Sequence, residues 1–78
     1  MMNDERIIAR IARNAEDELV IRTATYWNIE VVDMRWYKRG NPTRKGLRVN
    51  MDEAATLMKA IKKAIGNKNE NEQESNED

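Results

Sequence analysis

A chain of 78 residues without a single cysteine has few ways to make a stable fold. So short a chain buries only a modest fraction of the surface that it exposes when unfolded. Natural domains of this size add disulfides, a structural metal or self-association. Disulfides and thiolate metal sites are closed to this sequence. Phe is absent as well, and the aromatic residues are Tyr26, Trp27, Trp36 and Tyr37. Self-association is the remaining common remedy. The lack of cysteine fits a reducing compartment. No apolar run approaches a membrane span, and Met1–Glu5 lacks the basic-then-apolar order of a secretory signal. The expectation is an intracellular, cytoplasmic protein.

The net charge is zero, with 14 bases and 14 acids, but the charges are segregated. Residues 67–78 hold five acids (Glu70, Glu72, Glu74, Glu77, Asp78) and one base, Lys68; without them the body keeps 13 bases and 9 acids. Six of those bases (Arg35, Lys38, Arg39, Arg44, Lys45, Arg48) fall in a stretch that contains no acid. The expectation is one domain over residues 1–66, basic along one stretch, followed by a disordered acidic tail over 67–78. The tail has no apolar residue with which to offset its chain entropy. Such a tail is a solubilising appendage, or it competes for the basic face or recruits a partner protein.

Residues 51–65 carry the clearest helical period, with Ala54, Leu57, Met58, Ile61 and Ile65 at three- and four-residue spacing. Asn50 followed by Glu53 forms a capping-box pattern, and Gly66 is a candidate for the residue just past the helix end. With Met51, Ala55 and Ala64, the apolar positions cover roughly half the helix circumference. That is wider than a helix needs to cover a sheet, so a partner subunit is the simplest second contact. Residues 18–26 and 29–38 are rich in β-branched and aromatic residues and read as strands around a turn at Trp27-Asn28. Alternation sets Val32, Met34 and Trp36 on one face, which favours the core for Trp36, and Asp33, Arg35 and Tyr37 on the other. Residues 39–43 read as a loop and 45–50 as a short strand, with Leu47 and Val49 inward and Arg48 outward. Residues 5–14 fit a helical period slightly better than strand alternation, and periodicity alone leaves both open.

Enzymatic chemistry finds little support. There is no His and no Cys, so the usual neutral-pH base and the thiolate nucleophile are missing. Asp33, an acid within a strand, reads most simply as the partner of a neighbouring arginine. The glycines are isolated and no metal-ligand spacing occurs, so neither cofactor nor metal is expected. Basic and aromatic residues interleave from Tyr26 to Arg48 instead. Single-stranded nucleic acid is held by cations that follow its phosphates and by aromatic faces that stack on unpaired bases. A solvated basic surface around a small aromatic core explains the same composition. Tyr26 and Trp27 are either packed under the turn or displayed for a ligand. Tyr37 is either a stacking residue or an amphipathic surface residue.

The run Val32-Asp33-Met34-Arg35-Trp36-Tyr37, then Pro42-Thr43-Arg44-Lys45-Gly46-Leu47-Arg48-Val49-Asn50, then an apolar helix, resembles the transcriptional coactivator family called positive cofactor four, or p-fifteen. Residues 18 to about 65 follow that family's pattern in order and spacing. The resemblance implies an α+β fold of four antiparallel, curved strands followed by one helix (ββββα). It also implies a homodimer through the helices, with Ala54, Leu57, Met58, Ile61 and Ile65 in the seam. Residues 5–14 then become a first strand, which hairpins through Ala15-Glu16-Asp17. The resemblance assigns DNA-backbone contact to Arg35, matches Arg44 and Lys45 to the family's basic pair, and matches Tyr26 to a base-stacking aromatic. Arg22 lies nearby on a face that alternation does not settle. Where the family often places a Trp, this chain has Lys38, so a stacking contact is lost or moves to Trp27.

The function expected on these grounds is non-enzymatic binding of single-stranded DNA with low sequence specificity, in transcription, replication or recombination. The resemblance is to the compact prokaryotic or phage form, nucleoid-associated or at work in a phage-infected cell. Arg35, Lys38, Arg44, Lys45 and Arg48 are the candidate phosphate contacts, and Tyr26, Trp27 and Tyr37 the candidate stacking residues. RNA is a second candidate strand. The rival class is a transcriptional adaptor or interaction module that binds a partner protein through its helix.

Overall fold

The computed structural model describes residues 2–74, with side-chain surroundings for residues 2–67. Four strands, β1 (Met2–Ala12), β2 (Asp17–Tyr26), β3 (Ile29–Lys38) and β4 (Asn41–Asn50), precede one helix, α1 (Met51–Glu74). The strands form one antiparallel sheet in the order β1-β2-β3-β4, so β1 and β4 are its edges. The ββββα order agrees with the sequence expectation, and residues 5–14 lie mostly in a strand. Among the described residues, no helix is long and apolar enough to cross a membrane.

The turns explain the register. Trp27 and Asn28 have φ of 53° and 65°, and Arg39 and Gly40 have φ of 52° and 83°. Two consecutive left-handed residues make a type I′ turn, whose twist matches that of the flanking strands. Each turn therefore closes a tight hairpin, pairing Tyr26 with Ile29 and Lys38 with Asn41. The β1–β2 connection is built around Asn14, whose side-chain oxygen accepts the Glu16 and Asp17 amides at 2.8 Å. The Arg39 amide donates to the Glu16 carbonyl at 2.7 Å, joining this loop to the β3–β4 turn.

Three boundaries differ from the sequence reading. The first hairpin turns over Arg13–Glu16, earlier than Ala15-Glu16-Asp17, because Asp17 already pairs with Lys38. The presumed loop 39–43 is shorter: β4 begins at Asn41, and Pro42 is tolerated there because β4 is an edge strand. The helix does not stop at Gly66, which lacks the left-handed conformation of a helix-ending glycine. It runs on to Glu74, whereas the sequence reading made residues 67–78 a disordered tail. Once nucleated, a helix propagates at small cost through Glu, Gln, Lys and Asn, and no Pro interrupts it. The acidic side chains from Glu70 onward, and any partner they have, lie outside the described residues.

The fully buried residues share one face of the sheet. Val20 and Asp33 have no exposed surface and Ala24 and Val31 are nearly as buried. The register puts them on the same side, with Val20 opposite Arg35, Arg22 opposite Asp33 and Ala24 opposite Val31. The other face carries Leu19, Ile21, Val32, Met34, Trp36, Leu47 and Val49. The sequence reading made this second face the core. In the single chain it is only half-covered, because among the described residues α1 touches β3 and β4 and neither β1 nor β2. Leu47, Met58, Ile61 and Ile65 each keep about half of their surface exposed.

Candidate nucleic-acid interface

The centre of the buried face is a carboxylate held by arginines. Arg22 Nη2 and Arg35 Nη2 each donate to Asp33 at 3.0 Å, Arg35 Nε donates at 3.4 Å, and Arg48 Nε stands at 3.5 Å. These residues meet because Arg22, Asp33 and Arg48 are direct cross-strand partners on β2, β3 and β4. Burial pushes the Asp33 carboxyl up, but hydrogen bonds from Arg35 and Arg22, together with their charges, outweigh it and hold the group below the usual carboxylate range. Burial likewise works against the Arg22 charge, and the bond to Asp33 together with the surrounding negative charges outweighs it. Arg22 also donates to Glu5 at 2.9 Å, while its buried Nε has no partner. The reading of Asp33 as an ion-pair partner agrees with this geometry. Three cations converge on one buried anion, and Glu5 offsets only part of the excess.

Arg35, the expected backbone contact, is largely spent inside the protein. Its Nε and Nη2 serve Asp33, and Nη1 donates to the Thr43 carbonyl at 3.1 Å. Arg48 is more open. Its guanidinium lies 4.8 Å from the Tyr26 ring centroid, and Tyr26 meets Trp27 edge-on at 6.1 Å. Trp27 caps this row at the tip of the β2–β3 turn with 74% of its surface exposed. Arg48, Tyr26 and Trp27 thus form one continuous cation–aromatic surface, with Arg22 beneath it.

A second group stands at the other end of β3. Arg13, Trp36, Lys38, Thr43 and Lys45 line a cleft of about 330 Å³, with Tyr37 and Asp17 beside them. The Arg13 guanidinium lies 3.9 Å from the Trp36 ring centroid. Lys38 sits 3.5 Å from Glu16 and 3.6 Å from Asp17, exposed ion pairs that contribute little. The Asn14 amide, against slight desolvation, and then the Lys38 charge hold Asp17 below its ordinary value. Across the cleft, β4 bulges against β3 between the Arg35–Gly46 and Tyr37–Pro42 pairs. Thr43 pins the bulge, its hydroxyl donating to the Trp36 carbonyl at 2.6 Å and accepting the Lys45 amide at 3.2 Å. Arg44 and Lys45 are exposed at this edge. Among the described residues, no carboxylate lies within ion-pairing distance of Arg13, Arg44 or Lys45.

The candidate residues therefore fall into two groups at opposite ends of the sheet. Tyr26 and Trp36 also belong to opposite faces, and the basic edge strand β4 borders both. Sequence reasoning missed Arg13, and Trp36, which it favoured for the core, is half-buried with the Arg13 guanidinium over its ring. The two are 23 positions apart, and only the closure of the β1–β2 loop over the end of β3 brings them together. Among the described residues, no group of three or more acidic side chains stands close enough to hold a metal ion. No protein-family model, no curated protein and no solved structure matches this chain.

Proposed function

We propose that this chain binds single-stranded DNA without strong sequence preference, as a homodimer, and performs no catalysis. One observation carries the reading: the Arg48–Tyr26–Trp27 surface, in which a cation and two aromatic rings are displayed together above the net-positive cluster around Asp33. Unpaired bases have π-faces to offer such rings, whereas a duplex keeps its bases stacked on one another. Arg44 and Lys45 supply exposed charge for phosphates at the β4 edge, and Arg48 and Lys38 extend it. Arg35 acts mainly as the anchor that holds Asp33 and the Thr43 backbone in place. The strand–loop–helix pattern shared with the positive cofactor four family supports the same assignment, as does the ββββα order. The roles in transcription, replication or recombination follow from that resemblance.

Homodimerisation is supported by the half-exposed apolar residues of α1 and by Leu47 beside them. The same exposure favours the rival reading, a module whose helix docks on another protein, and the two differ in what the purified chain does alone. The test is titration of a labelled mixed-sequence single strand, beside its duplex, across a range of salt. The single strand should bind more tightly than the duplex, with affinity falling on a log–log slope of about −0.7 per phosphate contact. Lys45→Glu should weaken binding without unfolding the domain. Absence of binding to either form at low salt would leave the interaction module as the better reading.

A further inference from the structure

We infer that the cleft between Arg13 and Trp36 is a second base-stacking subsite, which takes one unpaired base of a bound strand against Trp36 while Arg13 moves to the adjoining phosphate. This rests on the single-strand reading and adds a subsite on the face opposite to the Tyr26 surface. The cleft, of about 330 Å³, is lined by an indole, by Arg13 and by two lysines, and Thr43 fixes its far wall through bonds of 2.6 Å and 3.2 Å. A guanidinium 3.9 Å from the ring centroid marks a flat face to which a planar group can be apposed. A base is planar and presents a similar stacking surface. Arg13 makes no ion pair among the described residues, although its charge reaches Asp17 beside the cleft. The exchange breaks that cation–π contact and gains a phosphate contact in addition to the stack. Lys45 lines the cleft and Arg44 precedes it on the β4 edge, so a strand bound at both subsites would pass over that edge.

The experiment uses Trp27→Phe, in which Trp36 is the sole tryptophan and is excited at the red edge, where tyrosine does not absorb. Oligothymidylate is added while a labelled oligonucleotide reports total binding by anisotropy. Trp36 emission should be quenched in parallel with the anisotropy change. Trp36→Leu should lower the affinity by about ten-fold or more, and Arg13→Gln should flatten the salt slope by about 0.7. Binding by anisotropy with Trp36 emission unmoved would overturn the subsite and leave the single-strand function standing. No anisotropy change at low salt with the wild-type chain would remove both. Thymidine monophosphate at the same nucleotide concentration separates a strand from free nucleotide, and equal quenching by it would overturn the assignment to a strand. Should Trp36→Leu fail to fold, the emission of Trp27→Phe still decides the matter.

Discussion

A carboxylate with no exposed surface, shared by Arg22, Arg35 and Arg48, costs desolvation that only good geometry repays. Removing the anion leaves buried guanidinium groups without compensation. Asp33→Asn should therefore destabilise the fold by about 3–5 kcal/mol, read from the urea midpoint. A loss under about 1 kcal/mol would mean that the arginines relax into water. The same residue sets a pH dependence. Because folding lowers the Asp33 pKa from the ordinary aspartate value of 3.8, its contribution is complete above that value. It is lost as pH falls through the lower, folded pKa. Acid unfolding should be shallower in Asp33→Asn than in the wild type over that range. Trp27 shows the opposite balance of stability and use. An L-residue in the left-handed region costs roughly 1–2 kcal/mol, and a tryptophan with φ of 53° brings the hairpin little packing beyond its edge contact with Tyr26 while 74% exposed. Trp27→Asn should stabilise the protein by about 1 kcal/mol, since Asn tolerates that conformation. It should weaken single-strand binding by about ten-fold through the lost stack. Unchanged binding would exclude Trp27 from the interface.

Within the elements, β3 and β4 approach so closely that one position admits no side chain. A Cβ at residue 46 would overlap the Met34 carbonyl oxygen and lie 2.7 Å from the Arg35 Cα. Gly46→Ala should separate the two strands locally and cost on the order of 1–3 kcal/mol, with faster amide exchange confined to β4 and its partners on β3. Uniform loss of protection across the sheet would show that β4 docking is required for the whole fold. The start of α1 behaves as its sequence demands. The Asn50 side chain accepts the Glu53 amide and the Glu53 side chain accepts the Asn50 amide, both at 2.8 Å. This reciprocal box satisfies two amides that would otherwise be unpaired and makes the β4-to-α1 junction abrupt.

At the scale of the whole molecule, one face of the sheet is closed and the other is open. Val20, Ala24 and Val31 are buried on the closed face, whereas Leu47 and the outer residues of α1 stay half-exposed on the open side. Apolar surface of this extent on so small a chain marks an interaction site, and a second copy is the proposed occupant. Ile61→Asp should convert a two-chain particle to a single chain in sedimentation equilibrium and lower its thermal midpoint. A wild-type protein that sediments as one chain at high concentration would rule out the homodimer. Such a result would turn attention to a different partner for the helix.

Element order was legible because β-branched runs, turn residues and a capped apolar period are local signals. The span of β3, residues 29–38, agrees with the structure to the residue, and so does the first residue of α1. Alternation also set Asp33, Arg35 and Tyr37 apart from Trp36 correctly. The sequence could not say which face would be buried. Burial depends on where the helix lies against the sheet, and α1 leaves the Trp36 face partly open. Nor could it divide the basic and aromatic residues into two groups, since Arg48 reaches Tyr26 across a hairpin and Arg13 reaches Trp36 across a loop. Local sequence determined β2, β3, the Trp27-Asn28 turn and the helix start through backbone preference and period, whereas β1 was read as a strand only through the family resemblance. Tertiary closure decided which arginines are spent on Asp33 and which remain free for a ligand, because that depends on distances between residues far apart in the chain.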